Sequence, residues 1–94
     1  MKIKIGNGNK IIDQYPSVNT MVVENDVVIL KTNGKEIKMP SFIGLSLKET
    51  KKLCSMLGIT CDIEGNGYVI NQDIKENTII DKEMIVKLVL KEKE

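Results

Sequence analysis

Histidine and tryptophan are absent from this chain of 94 residues. Without histidine the chain lacks the commonest general base and the commonest protein ligand for a metal. Aromatic side chains are scarce: Tyr15, Phe42 and Tyr68 make up the whole set. A core built from this chain must therefore be aliphatic. Charge of one sign is missing too, with 14 basic against 13 acidic residues and a net charge of +1. That balance offers no basic footprint for nucleic acid or for an anionic membrane surface. No apolar run approaches the roughly 20 residues of a membrane span, and no signal peptide is visible. Cysteine occurs twice, at Cys54 and Cys61. Structural zinc takes about four ligands, and no further Cys or His exists to complete the set. The two cysteines read as buried thiols packing as small hydrophobes, and a disulfide is open if they face each other. No cofactor is implied.

What is present is an ordinary globular balance, 41% hydrophobic and 29% charged, which argues against disorder. The chain also repeats itself. Residues 5–32 and 63–90 both carry Gly-Asn-Gly, an Ile-x-Gln step, Asn-Thr, an apolar pair and a final apolar strand. From Gln14 and Gln72 onward the offset is a constant 58 residues. An echo of fixed period points to a modular array. Lys35–Ile59 has no counterpart ahead of Met1, so the chain reads as one and a half modules taken from something longer. The expected division is 1–33, a truncated back half, and 34–94, a complete module.

The complete module predicts an α+β fold: a small sheet of three or four strands with one helix packed on one face. Lys35–Met39 is a strand candidate ended by Pro40, which cannot donate to a ladder. Ser46 and Glu49 form a capping box for a helix of about eleven residues. Leu47, Thr50, Leu53, Cys54, Met56 and Leu57 give that helix its buried stripe, and Gly58 stops it in a left-handed turn. Lys48, Lys51 and Lys52 fall on the solvated side. Ile59–Ile63 alternates as a strand, and Gly65-Asn66-Gly67 is expected to turn it into a hairpin with Tyr68–Gln72. Met84–Leu90 is the last strand, with Met84, Val86, Leu88 and Leu90 on one face. In the first copy, strands are expected over Met1–Ile5, Asn9–Asp13 and Val27–Thr32. Their apolar set is Ile3, Ile5, Ile11, Met21, Val22, Val28 and Leu30. A bare apolar sheet is an association site. Residues 1–32 should therefore dock on the second module or on a partner chain, or exchange amide hydrogens faster than residues 36–90.

The order of elements and the punctuation resemble the PASTA domain, the module associated with penicillin-binding proteins and serine/threonine kinases. Met39-Pro40-Ser41-Phe42-Ile43-Gly44-Leu45-Ser46 matches its opening motif. Glu49-Thr50-Lys51-Lys52-Leu53 looks like its helix, and Gly58-Ile59 like the step that follows. Gln14-Tyr15-Pro16 matches the family's exit turn. Asn19 and Asn77 stand where the family carries glycine, and asparagine tolerates left-handed dihedrals. Ile74 replaces the turn proline in the second copy, which should loosen that turn.

The resemblance implies a non-catalytic, extracytoplasmic module of a penicillin-binding protein, a peptidoglycan transpeptidase, anchored to the plasma membrane elsewhere. The Gly-Asn-Gly-Asn-x-Ile-x-Asp-Gln run looks like the sporulation and cell-division transpeptidases of Gram-positive bacteria. The module would position the enzyme at the cell wall, touching peptidoglycan, a muropeptide or the parent's transpeptidase domain. The alternatives are a muropeptide-sensing module of a receptor-like kinase, or a purely structural spacer. No catalytic, cofactor or metal residue is assigned, and no ligand-binding residue is named. Gly65-Asn66-Gly67 precedes a strand and is not a phosphate-cradling strand-to-helix loop. Tyr15 and Tyr68 could stack on a sugar ring, yet each flanks a turn where packing alone would keep it.

Overall fold

Among the described residues seven elements follow one another: β1 Lys2–Ile5, β2 Ile11–Tyr15, β3 Val28–Thr32, α1 Leu47–Leu57, β4 Thr60–Gly65, β5 Tyr68–Gln72 and β6 Ile85–Lys91. The computed structural model describes residues 2–17 and 27–92. The strands form two three-stranded sheets, ordered β1-β3-β2 and β4-β6-β5. With α1 this is the expected α+β fold. Asn19, Met21 and Val22 lie outside the described residues.

The helix starts and stops where its sequence dictates. Ser46 caps it in extended conformation, its hydroxyl accepting from the Glu49 N–H, while Glu49 accepts from the Ser46 N–H at 2.9 Å. These reciprocal bonds satisfy two backbone donors that a helix start would leave bare. At the other end Gly58 adopts φ 73° and donates to the Cys54 and Ser55 carbonyls. Thr50, Leu53, Cys54, Met56 and Leu57 form the buried stripe.

Gly65-Asn66-Gly67 does not make the hairpin expected of it. β4 pairs with β6 in parallel, β5 pairs with β6 antiparallel, and β6 lies between them. The turn passes over the end of β6 instead of folding back on itself. A Cβ at Gly65 would collide with the Leu90 carbonyl oxygen, and one at Gly67 with that of Lys91. Glycine is required there because the chain crosses directly over a third strand. Gly6-Asn7-Gly8 wraps the end of β3 in the same way. Thr32 Oγ1 accepts from the Gly8 N–H at 3.0 Å and donates to the Ile5 carbonyl at 3.0 Å.

The expected strand at Lys35–Met39 is reduced to a single bridge, Lys38 opposite Ile79. Ile37 and Met39 exchange backbone bonds with Ile80, Thr78 and Asn77. Pro40 then removes the next donor and ends the pairing. Asn77 holds φ 73°, the left-handed geometry foreseen for it.

The echo in the sequence is an echo in three dimensions. Gln14 faces Leu30 as Gln72 faces Leu88, and Ile11 faces Thr32 as Val69 faces Leu90. A register shift falls between Ile11 and Asp13 and between Val69 and Asn71, at matching places in the two sheets. In the parallel pairs, Lys2 faces Val28 as Cys61 faces Val86, and Lys4 faces Leu30 as Ile63 faces Leu88. The residues equivalent to one another are thus fixed strand by strand.

Candidate functional site

The two sheets bury opposite faces. In the second sheet Val69, Val86, Leu88 and Leu90 point into the core with α1. Asp62, Glu64 and Lys87 occupy the other face and are exposed. In the first sheet the equivalents of those three charged residues are Ile3, Ile5 and Ile29, exposed by 7%, 1% and 0%. They join the cluster that contains Met39, Phe42 and Leu53. Tyr15, opposite Ile29, packs against the same cluster. Because side chains alternate along a strand, this commits Lys2, Lys4, Val28 and Leu30 to the far side. The apolar set read from the first copy therefore divides. Ile3 and Ile5 are docked on the second module, while Ile11, Val28 and Leu30 lie on the other face.

Lys52 departs from the expected solvated row. Lys48 and Lys51 are exposed, but Lys52 is half-buried, with its ammonium 5.7 Å from the centre of the Tyr15 ring. At that distance a cation is attracted to the ring face. Tyr15 is thus held between the two halves, and Tyr68 sits at the start of α1, bridged to Ser46.

Gln72 organises the loop ahead of the helix. Its Oε1 accepts from the Phe42 N–H at 2.7 Å, and its Nε2 donates to the Pro40 carbonyl at 3.2 Å and the Ile74 carbonyl at 2.7 Å. Gly44 follows with φ 89°, donating to the Val69 carbonyl, and Leu45 accepts in return from Val69. The run Pro40-x-x-x-Gly44-x-Ser46 is thereby a stitched loop, held by a glutamine in the exit strand. Gln14 keeps the local part of this arrangement, its Nε2 donating to the Pro16 carbonyl at 3.2 Å.

The family model of the PASTA domain matches residues 37–92. This chain belongs to the PASTA family. A crystal structure of penicillin-binding protein 2X from Streptococcus thermophilus shares its fold, with a TM-score of 0.80 over 97% of this chain at 22% identity. This chain spans 14% of the length of that one. No curated relative matches.

The cysteines of this PASTA module are not free thiols. Cys54 on α1 and Cys61 on β4 form a disulfide with a Cα–Cα separation of 6.2 Å. The stripe of α1 and the inward side of β4 face each other across the core, which brings the two sulfurs together. Sequence spacing alone left both states open, because bonding depends on which way each residue points.

Among the described residues no three His, Cys, Asp or Glu side chains gather as a metal set. A cleft of about 550 Å³ lies between the β1 strand and the loops around Met39 and Asn77. Lys2, Lys4, Lys38, Glu36 and Glu76 line it, so both charge signs meet at its walls. A shallower groove of about 370 Å³ lies over Ile11, Ile12 and Gln14. Neither was legible in the sequence, since each joins residues more than thirty positions apart or depends on which sheet face is left open.

Proposed function

We propose that this chain is a non-catalytic, extracytoplasmic PASTA module of a penicillin-binding protein, and that it positions the parent enzyme at the cell wall. The observation that carries this reading is the fold match to penicillin-binding protein 2X, which spans both sheets. The Cys54–Cys61 disulfide supports a compartment outside the reducing cytosol. Residues 1–33 are the back half of one PASTA-like module and residues 34–94 a complete one; the strand-by-strand equivalence of the two sheets supports that division.

Peptidoglycan is the proposed contact. Its stem peptides carry carboxylates and ammonium groups together, and the cleft beside β1 offers both partners for them. Lys38 would meet a carboxylate; Glu36 and Glu76 would meet an ammonium. Titration with a soluble disaccharide-peptide tests this. Saturable shifts at the amides of Lys4, Lys38 and Asn77 are expected, weakening as salt screens the charges. An absence of any saturable shift would leave the module as a spacer.

A further inference from the structure

Asparagine followed by glycine occurs three times, at Asn7-Gly8, Asn33-Gly34 and Asn66-Gly67. This dipeptide has a chemistry of its own. The glycine amide nitrogen attacks the asparagine side-chain carbonyl carbon, because no Cβ on the glycine obstructs the approach and its backbone turns freely. The nitrogen gives up its proton, the N–Cγ bond forms, and the Cγ–Nδ2 bond breaks with loss of ammonia. The resulting succinimide ring then takes up water. Opening at Cγ leaves aspartate; opening at the backbone carbonyl leaves isoaspartate. All three asparagines are exposed, so access to water does not tell them apart.

Hydrogen bonding does tell them apart. Thr32 is buried at the end of β3, and its one hydroxyl oxygen holds both glycine nitrogens of the first half. The Gly8 N–H donates to Thr32 Oγ1 at 3.0 Å, and the Gly34 N–H donates to the same atom at 3.3 Å. The hydroxyl's own proton goes to the Ile5 carbonyl, which fixes the oxygen in place. Asn33 Oδ1 is engaged as well, accepting from the Lys10 N–H at 3.3 Å. In the second half Leu90 occupies the position of Thr32, since Val69 faces Leu90 as Ile11 faces Thr32. Leucine offers no acceptor. Among the described residues neither the Gly67 N–H nor the Asn66 side chain has a hydrogen-bond partner. We propose that Asn66 is a site of spontaneous deamidation in the folded module, and that the Thr32 hydroxyl shields Asn7 and Asn33 from the same reaction.

The product matters because of where the arch runs. A Cβ at Gly65 or Gly67 would strike the carbonyl oxygen of Leu90 or Lys91, so the backbone there lies against β6 without slack. Isoaspartate lengthens the main chain by one carbon. That carbon has to be taken up between β4 and β5, at the end of β6 where both ladders terminate. Aspartate at the same position leaves the main chain unchanged and adds only an exposed negative charge.

Peptide mapping by mass spectrometry, after the whole chain is incubated in mildly alkaline buffer, tests the assignment. The same incubation in denaturant gives each site its rate without structure, so every folded rate is divided by its own unfolded rate. On that scale Asn66 should react at least about tenfold faster than Asn7 or Asn33, whose bonds must first open. A smaller difference, or the reverse order, would overturn the proposal, and this comparison requires no variant. Thr32→Val removes the acceptor. In the folded variant Asn7 and Asn33 should speed up toward Asn66, whose own rate stays as it was. Unmoved rates at Asn7 and Asn33 would show that the hydroxyl is not the shield. The isoaspartate form, separated from aged protein by ion exchange, should melt below the Asn66→Asp variant. Coincident midpoints would overturn the reading of the arch.

Discussion

Thr50 is fully buried, and its hydroxyl finds no hydrogen-bond partner among the described residues. A desolvated hydroxyl without a partner costs free energy, on the order of 1 kcal/mol or more. Thr50→Val keeps the side chain's shape and its helix propensity, so it isolates the hydroxyl. The variant should be more stable by about 1 kcal/mol in urea titration; a loss of stability would mean that the hydroxyl has a partner after all. Ser46 is the opposite case. Ser46→Ala should lower stability by about 1 kcal/mol, the usual value for a lost cap. Gln72 stitches Pro40, Phe42 and Ile74 through one side chain, so Gln72→Ala should cost more, about 2 kcal/mol, by stranding the Phe42 N–H. Features of this kind were readable in advance where the signal is local. Ser46 with Glu49, and Gly58 after Leu57, announce a helix because each cap acts over only a few residues. The role of Gln72 was not readable, since two of its three partners, Phe42 and Pro40, lie some thirty residues upstream.

At the scale of elements, the Cys54–Cys61 bridge ties α1 to β4 across a separation of only 7 residues. Loop-closure entropy for so short a ring gives about 2.5 kcal/mol. Reduction should lower the denaturation midpoint accordingly while leaving the far-ultraviolet dichroism of the folded state intact. Outright unfolding on reduction would show that the helix has too little other attachment to the sheet. The strand pairing shows where local reading fails. Gly-Asn-Gly is equally suited to a two-strand hairpin and to a turn that arches over a third strand. What decides is β6, whose arrival between β4 and β5 is a long-range event that turn chemistry does not encode. The inverted first sheet was written in the sequence all the same: Ile3 and Ile5 stand where the second copy has Asp62 and Glu64. Two alternations of opposite phase mean two different buried faces, since a shift of one residue moves every side chain across the sheet.

For the whole molecule, Ile3, Ile5 and Ile29 share a core with Phe42 and Leu53. The two sheets should therefore unfold together. Ile29→Ala should cost about 3 kcal/mol, as buried isoleucine truncations do, and should shift a single transition seen alike by probes in β3 and in α1. Separate midpoints for the two regions would show that the contact between the sheets is weak. By contrast, the Glu36–Lys38 pair at 4.0 Å is exposed on both sides, and Lys38→Ala should change stability by less than about 0.5 kcal/mol.

In each sheet the central strand is the last of the three in chain order, β3 after β1 and β2, β6 after β4 and β5. A nascent polypeptide that has reached Gln72 carries β4 and β5 but not the strand that lies between them in the finished sheet. In the finished sheet they are not neighbours, because β6 lies between them. Only when Ile85–Lys91 has left the ribosome can the gap be filled, in one step and from both sides. The same arrangement makes the final strand the point of greatest leverage in the finished protein. A protease that removes it would take away both ladders of its sheet at once, leaving α1 with no floor.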